Sequence, residues 1–192
     1  MVMIGLALFA VAPLLAAIFV PNALAQHSDV EGAIILTVLA LIILGLMERW
    51  LNSTTGTAVF QALGWRCRLL QLSIVALLAT AASMLLFIGP TLRFWNYGVL
   101  TAELGLLLLA GGLASMVAPR NSVIGFRTRR TLASDEIWRA ENSVWGRRLA
   151  LASLLVFLAA LTGSWGVMLA VGVAMMIGIA FLVDDWRKGR QR

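Results

Sequence analysis

The sequence has one cysteine, one histidine and one tyrosine, and only 12% of its 192 residues are charged. Each scarcity closes a class of function. With Cys67 alone, no intrachain disulfide and no multi-cysteine metal site can form. With His27 alone, paired-histidine metal centres and histidine-based catalysis lose their groups. Neither a Gly-rich phosphate loop nor an acidic metal cluster can be read in the chain. An enzyme is therefore not expected, and no cofactor is implied. Lysine is scarce as well, with 14 arginines against Lys188.

What is abundant is apolar. Hydrophobic residues make up 61% of the chain and the mean hydropathy is +0.94, which no soluble domain of this length could bury. A bilayer core about 30 Å thick needs roughly 20 apolar residues per helical span. Six such segments can be read: Ile4–Val20, Val30–Met47, Leu69–Ile88, Tyr97–Ala118, Val144–Gly163 and Trp165–Val183. The expected fold class is an all-α polytopic membrane bundle of about six spans. Pro13 should kink the first. "ALA" at 23–25 resembles a signal-peptidase site, but no Lys or Arg precedes the apolar run, so it reads as a retained span. The last two segments run together without a charge from Leu149 to Val183. As one helix they would be about 52 Å long, and "TGSWG" at 162–166 marks a hairpin turn instead.

The net charge of +6 is mainly a topology signal. With the N-terminus inside, every basic residue except Arg93 falls in a cytoplasmic loop or tail, which sets the orientation as N-in, C-in. Nucleic-acid binding has nothing else behind it, and Cys67 reads as a reduced packing residue. Gly166, Ala170, Ala174 and Gly178 recur every four residues on the sixth span. Such a ridge serves close helix packing, within the bundle or as a docking or homo-oligomer face. Gly111 and Ser115 repeat the spacing once in the fourth span.

The loop between the fourth and fifth spans carries the chemistry. After Pro119, "APRNSVIGFRTRRTL" has neither helical nor strand periodicity. Ser134 is a suitable N-cap, with Asp135 and Glu136 in the first turn of a helix that runs towards the membrane. Ile137, Trp138, Val144 and Trp145 share a broad face, which predicts an interfacial helix with Trp rings at headgroup depth. Asp135 and Arg139 stand four apart in the favourable order. Gly125 before Phe126 suggests a tight turn. Arg127 is the candidate partner of Glu136, a fork that would close the loop onto the helix.

The stretch "PRNSVIGFRTRRTLASDEIWRAENSVWGR" resembles the signature of the SdpI family of bacterial multi-pass membrane proteins. That pattern reads N, a short apolar gap, G-x-R-T, then T-L-x-S-x-E-x-W, and a Gly-Arg or Gly-Lys before the next span. The chain matches it at Asn121, Gly125, Arg127, Thr128, Thr131, Leu132, Ser134, Glu136, Trp138 and Gly146. It departs at Arg129, where many members have proline. The resemblance divides the single membrane domain into residues 1–96, without a recognised motif, and 97–192, with the motif at 119–148. It implies immunity against a membrane-active peptide toxin, coupled to membrane capture of a cytoplasmic regulator, in the bacterial plasma membrane. The motif residues, with Asn142, are then the expected partner-binding set.

Glu103 lies within the fourth span, where an ionisable side chain is costly and should face the bundle interior or a wet cavity. Arg93 and His27 are its candidate partners, and its role reads equally as an ion, proton or peptide contact or as a packing carboxyl. Glu31 is a helix N-terminal charge. Four functions compete: a binding module for toxin, lipid or cytoplasmic partner; an accessory subunit of a larger membrane complex; a small transporter; and, weakest, an enzyme. Paired interrupted helices, the usual mark of a transporter, are not evident. Fold alone does not choose among them.

Overall fold

The computed structural model describes residues 2–19, 29–87, 93–121 and 123–190, so "ALA" at 23–25 and His27 lie outside the described residues. Seven α-helices are described: α1 Val2–Phe19, α2 Val30–Leu51, α3 Thr54–Leu63, α4 Trp65–Phe87, α5 Arg93–Val117, α6 Asp135–Ala159 and α7 Ser164–Arg190. Five of them are long and apolar enough to cross a membrane, and α1 is a shorter apolar helix. The protein is a multi-pass helical membrane bundle. Pro13 lies inside α1 without ending it. The predicted hairpin turn is present, built on a 3-10 turn at Ala160–Thr162 and on Gly163 with φ of 62°.

The helices form two packed groups. α1 and α2 lie against α4, α6 and α7 lie against α5, and α4 meets α5 between the groups. Their inner faces are built from small residues: Ala79, Ala82, Ala110, Ala114, Ala152 and Ala159 are buried, while Leu151, Leu154, Leu155 and Leu158 of α6 are exposed. Lipid is as apolar as leucine, so large side chains gain little by turning inwards, and close packing favours small ones.

The tightest crossing is between α5 and α6. A Cβ on Gly112 would stand 2.6 Å from the carbonyl oxygen of Gly146, and one on Gly146 would stand 2.7 Å from that of Gly112. Neither neighbour is a side chain that can swing away. Gly146→Val is expected to overpack this contact, at a cost of about 1–3 kcal/mol or more, whereas Gly178→Ala, with nothing within 4 Å of the added Cβ, should leave stability unchanged. Thermal melts of the two variants in detergent check the contrast; equal melting temperatures would contradict it.

The small-residue ridge of α7 accordingly divides. Gly166 and Ala170 are buried, and a Cβ on Gly166 would strike the carbonyl of Ala159 and the hydroxyl of Thr101. Ala174 and Gly178 are only half-buried. Of the pair in α5, Ser115 bonds back to the Gly111 carbonyl at 2.7 Å, and the close approach falls one residue later, at Gly112.

Helix α3 is an element that the sequence reading left as loop. Ser53 caps it, accepting from Gly56 N–H at 3.1 Å, and Gly64, with φ of 55°, ends it. Its buried Val59 and Leu63 join Leu51, Cys67, Ala114, Ala118 and Ile124 in one cluster. That cluster gathers the end of α2, the start of α4, the end of α5 and the loop after it. The arginines flanking these segments therefore share one end of the bundle. At the opposite end, Asp29 N–H bonds to the Leu85 carbonyl. This is the end that the positive-inside rule expects to face the cytoplasm.

Within the bundle, Glu103 on α5 accepts a hydrogen bond from Thr80 on α4 at 2.7 Å, and its other carboxyl oxygen has no hydrogen-bond partner among the described residues. The carboxyl thus faces inwards as expected, towards a threonine.

Candidate functional site

Residues 118–134 fold over the basic end as a cap held by side chains bonding to backbone. Asn121 is its first hub. Its Oδ1 accepts from the N–H groups of Val123 and Ile124, both at 2.7 Å, and its Nδ2 donates to the carbonyls of Pro119 at 2.7 Å and Ile124 at 3.1 Å. An asparagine amide has two donors and an acceptor with two lone pairs, and here each is used.

Asn142 on α6 is the second hub. Its Oδ1 accepts from Phe126 N–H at 2.6 Å, while Nδ2 donates to the Trp138 carbonyl at 3.1 Å and reaches the Phe126 carbonyl at 3.4 Å. Gly125, next to Phe126, has φ of 118°, and an added Cβ there would strike Asn142 Oδ1 and the Trp138 ring. Glycine is needed twice over, for the positive φ and for the space. Thr131 closes the next turn: its hydroxyl accepts from Thr128 N–H at 2.8 Å and donates to the Phe126 carbonyl at 3.0 Å, and Thr128 Oγ1 accepts from Thr131 N–H at 3.1 Å. Ser134 caps α6 as predicted, accepting from Ile137 N–H at 3.1 Å.

The tryptophans correct the expectation of an interfacial helix. α6 is continuous from Asp135 through the span, and Trp138 and Trp145 are 0% and 2% exposed. They are packed into protein instead of facing outwards on an interfacial helix. Trp138 donates its indole N–H to the Ala118 carbonyl at the end of α5, at 2.8 Å. Trp145 meets Phe126 of the cap and Phe181 of α7, with ring centroids 6.1 and 5.5 Å away, and those two phenylalanines are 4.9 Å apart. Arg148 lies over Trp145 at 4.3 Å. The buried face of α6 is Trp138, Glu141, Asn142, Trp145 and Gly146, whereas Val144 is exposed.

The ion pairs also differ from those expected. Asp135 pairs with Arg120 at 2.9 Å, not with Arg139. Arg127 and Glu136 are both exposed, and Arg130 supplies a fork that ties the cap to two helices. Its Nη2 is 2.9 Å from Glu141 Oε1 on α6, and its Nε is 2.7 Å from Asp185 Oδ1 on α7. Lys188 Nζ reaches the same Glu141 oxygen at 3.0 Å and Asp184 at 2.7 Å. Burial acts against the Arg130 charge, but the nearby Glu141 and Asp185 carboxylates, the latter hydrogen-bonded to Nε, outweigh it and hold the guanidinium above its ordinary pKa. The sequence reading missed Arg130, Glu141, Asp185 and Lys188. One signal was available for Glu141, which stands three residues after Trp138 and four before Trp145 and so shares their face.

Bundle and cap together define a polytopic α-helical membrane protein whose basic end is closed by a motif-built loop. Residues 117–183, from the end of α5 into the last third of α7, match the model of the SdpI/YfhL protein family. No curated protein and no solved structure matches the chain.

Proposed function

We propose that the protein is a non-catalytic binding module of the bacterial plasma membrane, acting in immunity or signal transduction, with the cap as its partner-facing surface. The observation that carries this is the division of labour within the motif. Asn121, Gly125, Thr128, Thr131, Ser134, Trp138 and Asn142 spend their polar groups and shape on holding the backbone. Arg127, Leu132 and Glu136 are displayed outwards. A catalytic site directs its polar groups at a substrate; this one directs them at its own chain and presents a fixed charged surface, as recognition requires. Beneath the cap, Val123 and Ile124 border two apolar clefts of about 470 and 300 Å³, one against α2 and α4 and the other against α5 and α6. A peptide toxin or lipid within the membrane would meet the protein there.

Expression in a sensitive bacterial host challenged with membrane-active peptide toxins tests the proposal. Survival should rise with the wild-type protein and fall back with Arg127→Ala or Glu136→Ala at unchanged membrane abundance. Equal killing with and without the protein across the toxins would overturn the immunity reading. A second reading, an accessory subunit of a larger complex, is favoured by the half-exposed Ala174 and Gly178 on α7. Purification in mild detergent with a stoichiometric membrane partner, lost on Gly178→Leu, would favour it instead.

A further inference from the structure

We propose that the groove between the end of α5 and the first turns of α6 is a binding site for the phosphate of an anionic phospholipid headgroup. Two cavities of about 580 and 290 Å³ meet there, sharing Pro119 and Arg139. One wall is the last turn of α5, Ser115 to Pro119. The other is the α6 face carrying Arg139, Ala140 and Ser143, and the smaller cavity is also lined by Trp138 and by the Arg120–Asp135 ion pair. Val117 ends the span, so the groove lies at headgroup level, with Met116 and Val117 continuing into the apolar layer.

Three features suit it to an anion. The carbonyls at a helix C-terminus would ordinarily repel one. Here the two carbonyls that follow the helix are occupied, that of Ala118 by the Trp138 indole and that of Pro119 by Asn121. The second feature is the difference between the two arginines of the groove. Arg120 is occupied, by Asp135 at 2.9 Å and the Leu132 carbonyl at 3.0 Å. Arg139 has no ion pair or hydrogen bond among the described residues and is exposed. A guanidinium can grip a phosphate through two parallel N–H donors. Third, Ser143 stands one turn along the same α6 face and offers a hydroxyl. Ser115 already donates to Gly111 and so presents only lone pairs, suited to a headgroup hydroxyl.

Native mass spectrometry of the full chain in mild detergent, titrated with phosphatidylglycerol, tests this. Wild type should retain one lipid with preference over phosphatidylcholine. Arg139→Gln should weaken that binding about tenfold, Arg139→Lys by less, and Arg129→Gln, away from the groove, not at all. Ala140→Leu, which fills the groove without changing charge, should also expel the lipid. Circular dichroism and a monodisperse elution profile confirm that each variant is folded. Undiminished retention in both Arg139→Gln and Ala140→Leu overturns the proposal, as does an equal loss in Arg129→Gln, which would mean a diffuse surface charge. Displacement of the lipid by millimolar inorganic phosphate would assign the site to a soluble anion and overturn the lipid as occupant.

Discussion

Arg130→Ala is expected to detach the cap from the last helix. The guanidinium joins three elements, bridging from the loop to Glu141 on α6 and to Asp185 on α7, with side chains 15%, 10% and 17% exposed. Removing it leaves Asp185 without that partner and Glu141 with Lys188 alone. Breaking a buried pair by deleting one member costs roughly 3–5 kcal/mol, because the surviving charge stays desolvated. Residual exposure places the effect here towards the lower end of that range. Arg130→Lys keeps the charge, but a single ammonium cannot match a two-sided fork, so rescue should be partial. Amide hydrogen exchange is the direct readout: residues 123–131 and the end of α7 should lose protection together in Arg130→Ala. Loss in the loop with α7 unchanged would show that the Asp185 arm contributes nothing.

This network marks where sequence reasoning stopped. The spans, the Gly163 hairpin and the Ser134 cap were legible because each rests on local chemistry: a run of apolar residues, a glycine with positive φ, a hydroxyl three residues before the N–H it accepts from. Lys188 and Glu141 are 47 residues apart in the chain and Arg130 and Asp185 are 55 apart. No helical period links such positions. The local pairing offered between Asp135 and Arg139 had the right charges without the right geometry. Asp135 points back over the loop to Arg120, and α6 turns Glu136 outwards. Helix α3 was overlooked for a compositional reason, since "NSTTGT" reads as a loop. Its signal was the Ser53 cap with Val59 and Leu63 four residues apart. The family motif was legible as a pattern, but the backbone contacts of Asn121, Thr131 and Asn142 that hold the cap together were not.

The face of α6 was misjudged on hydrophobicity, and that error leads to the second large effect. Ile137 and Val144 were grouped with the tryptophans because all are apolar, yet a helix entering lipid can leave apolar side chains outside at no loss and reserve its inner face for groups that need partners. Trp138 is such a group. It is fully buried, its indole N–H satisfies the Ala118 carbonyl left open by the end of α5, and its ring forms the floor beneath Gly125. Trp138→Ala is expected to cost about 3–5 kcal/mol through the cavity it leaves, and it also orphans a buried carbonyl. Trp138→Phe separates the two contributions. It restores most of the packing but not the donor, so about 1–3 kcal/mol of the loss should remain. Melting in detergent gives the order wild type, then Phe, then Ala. If Phe and wild type melt together, the indole hydrogen bond is dispensable and the ring alone holds the cap to α5. If Phe and Ala melt together, the bond to Ala118 anchors the cap, and the ring's packing matters little.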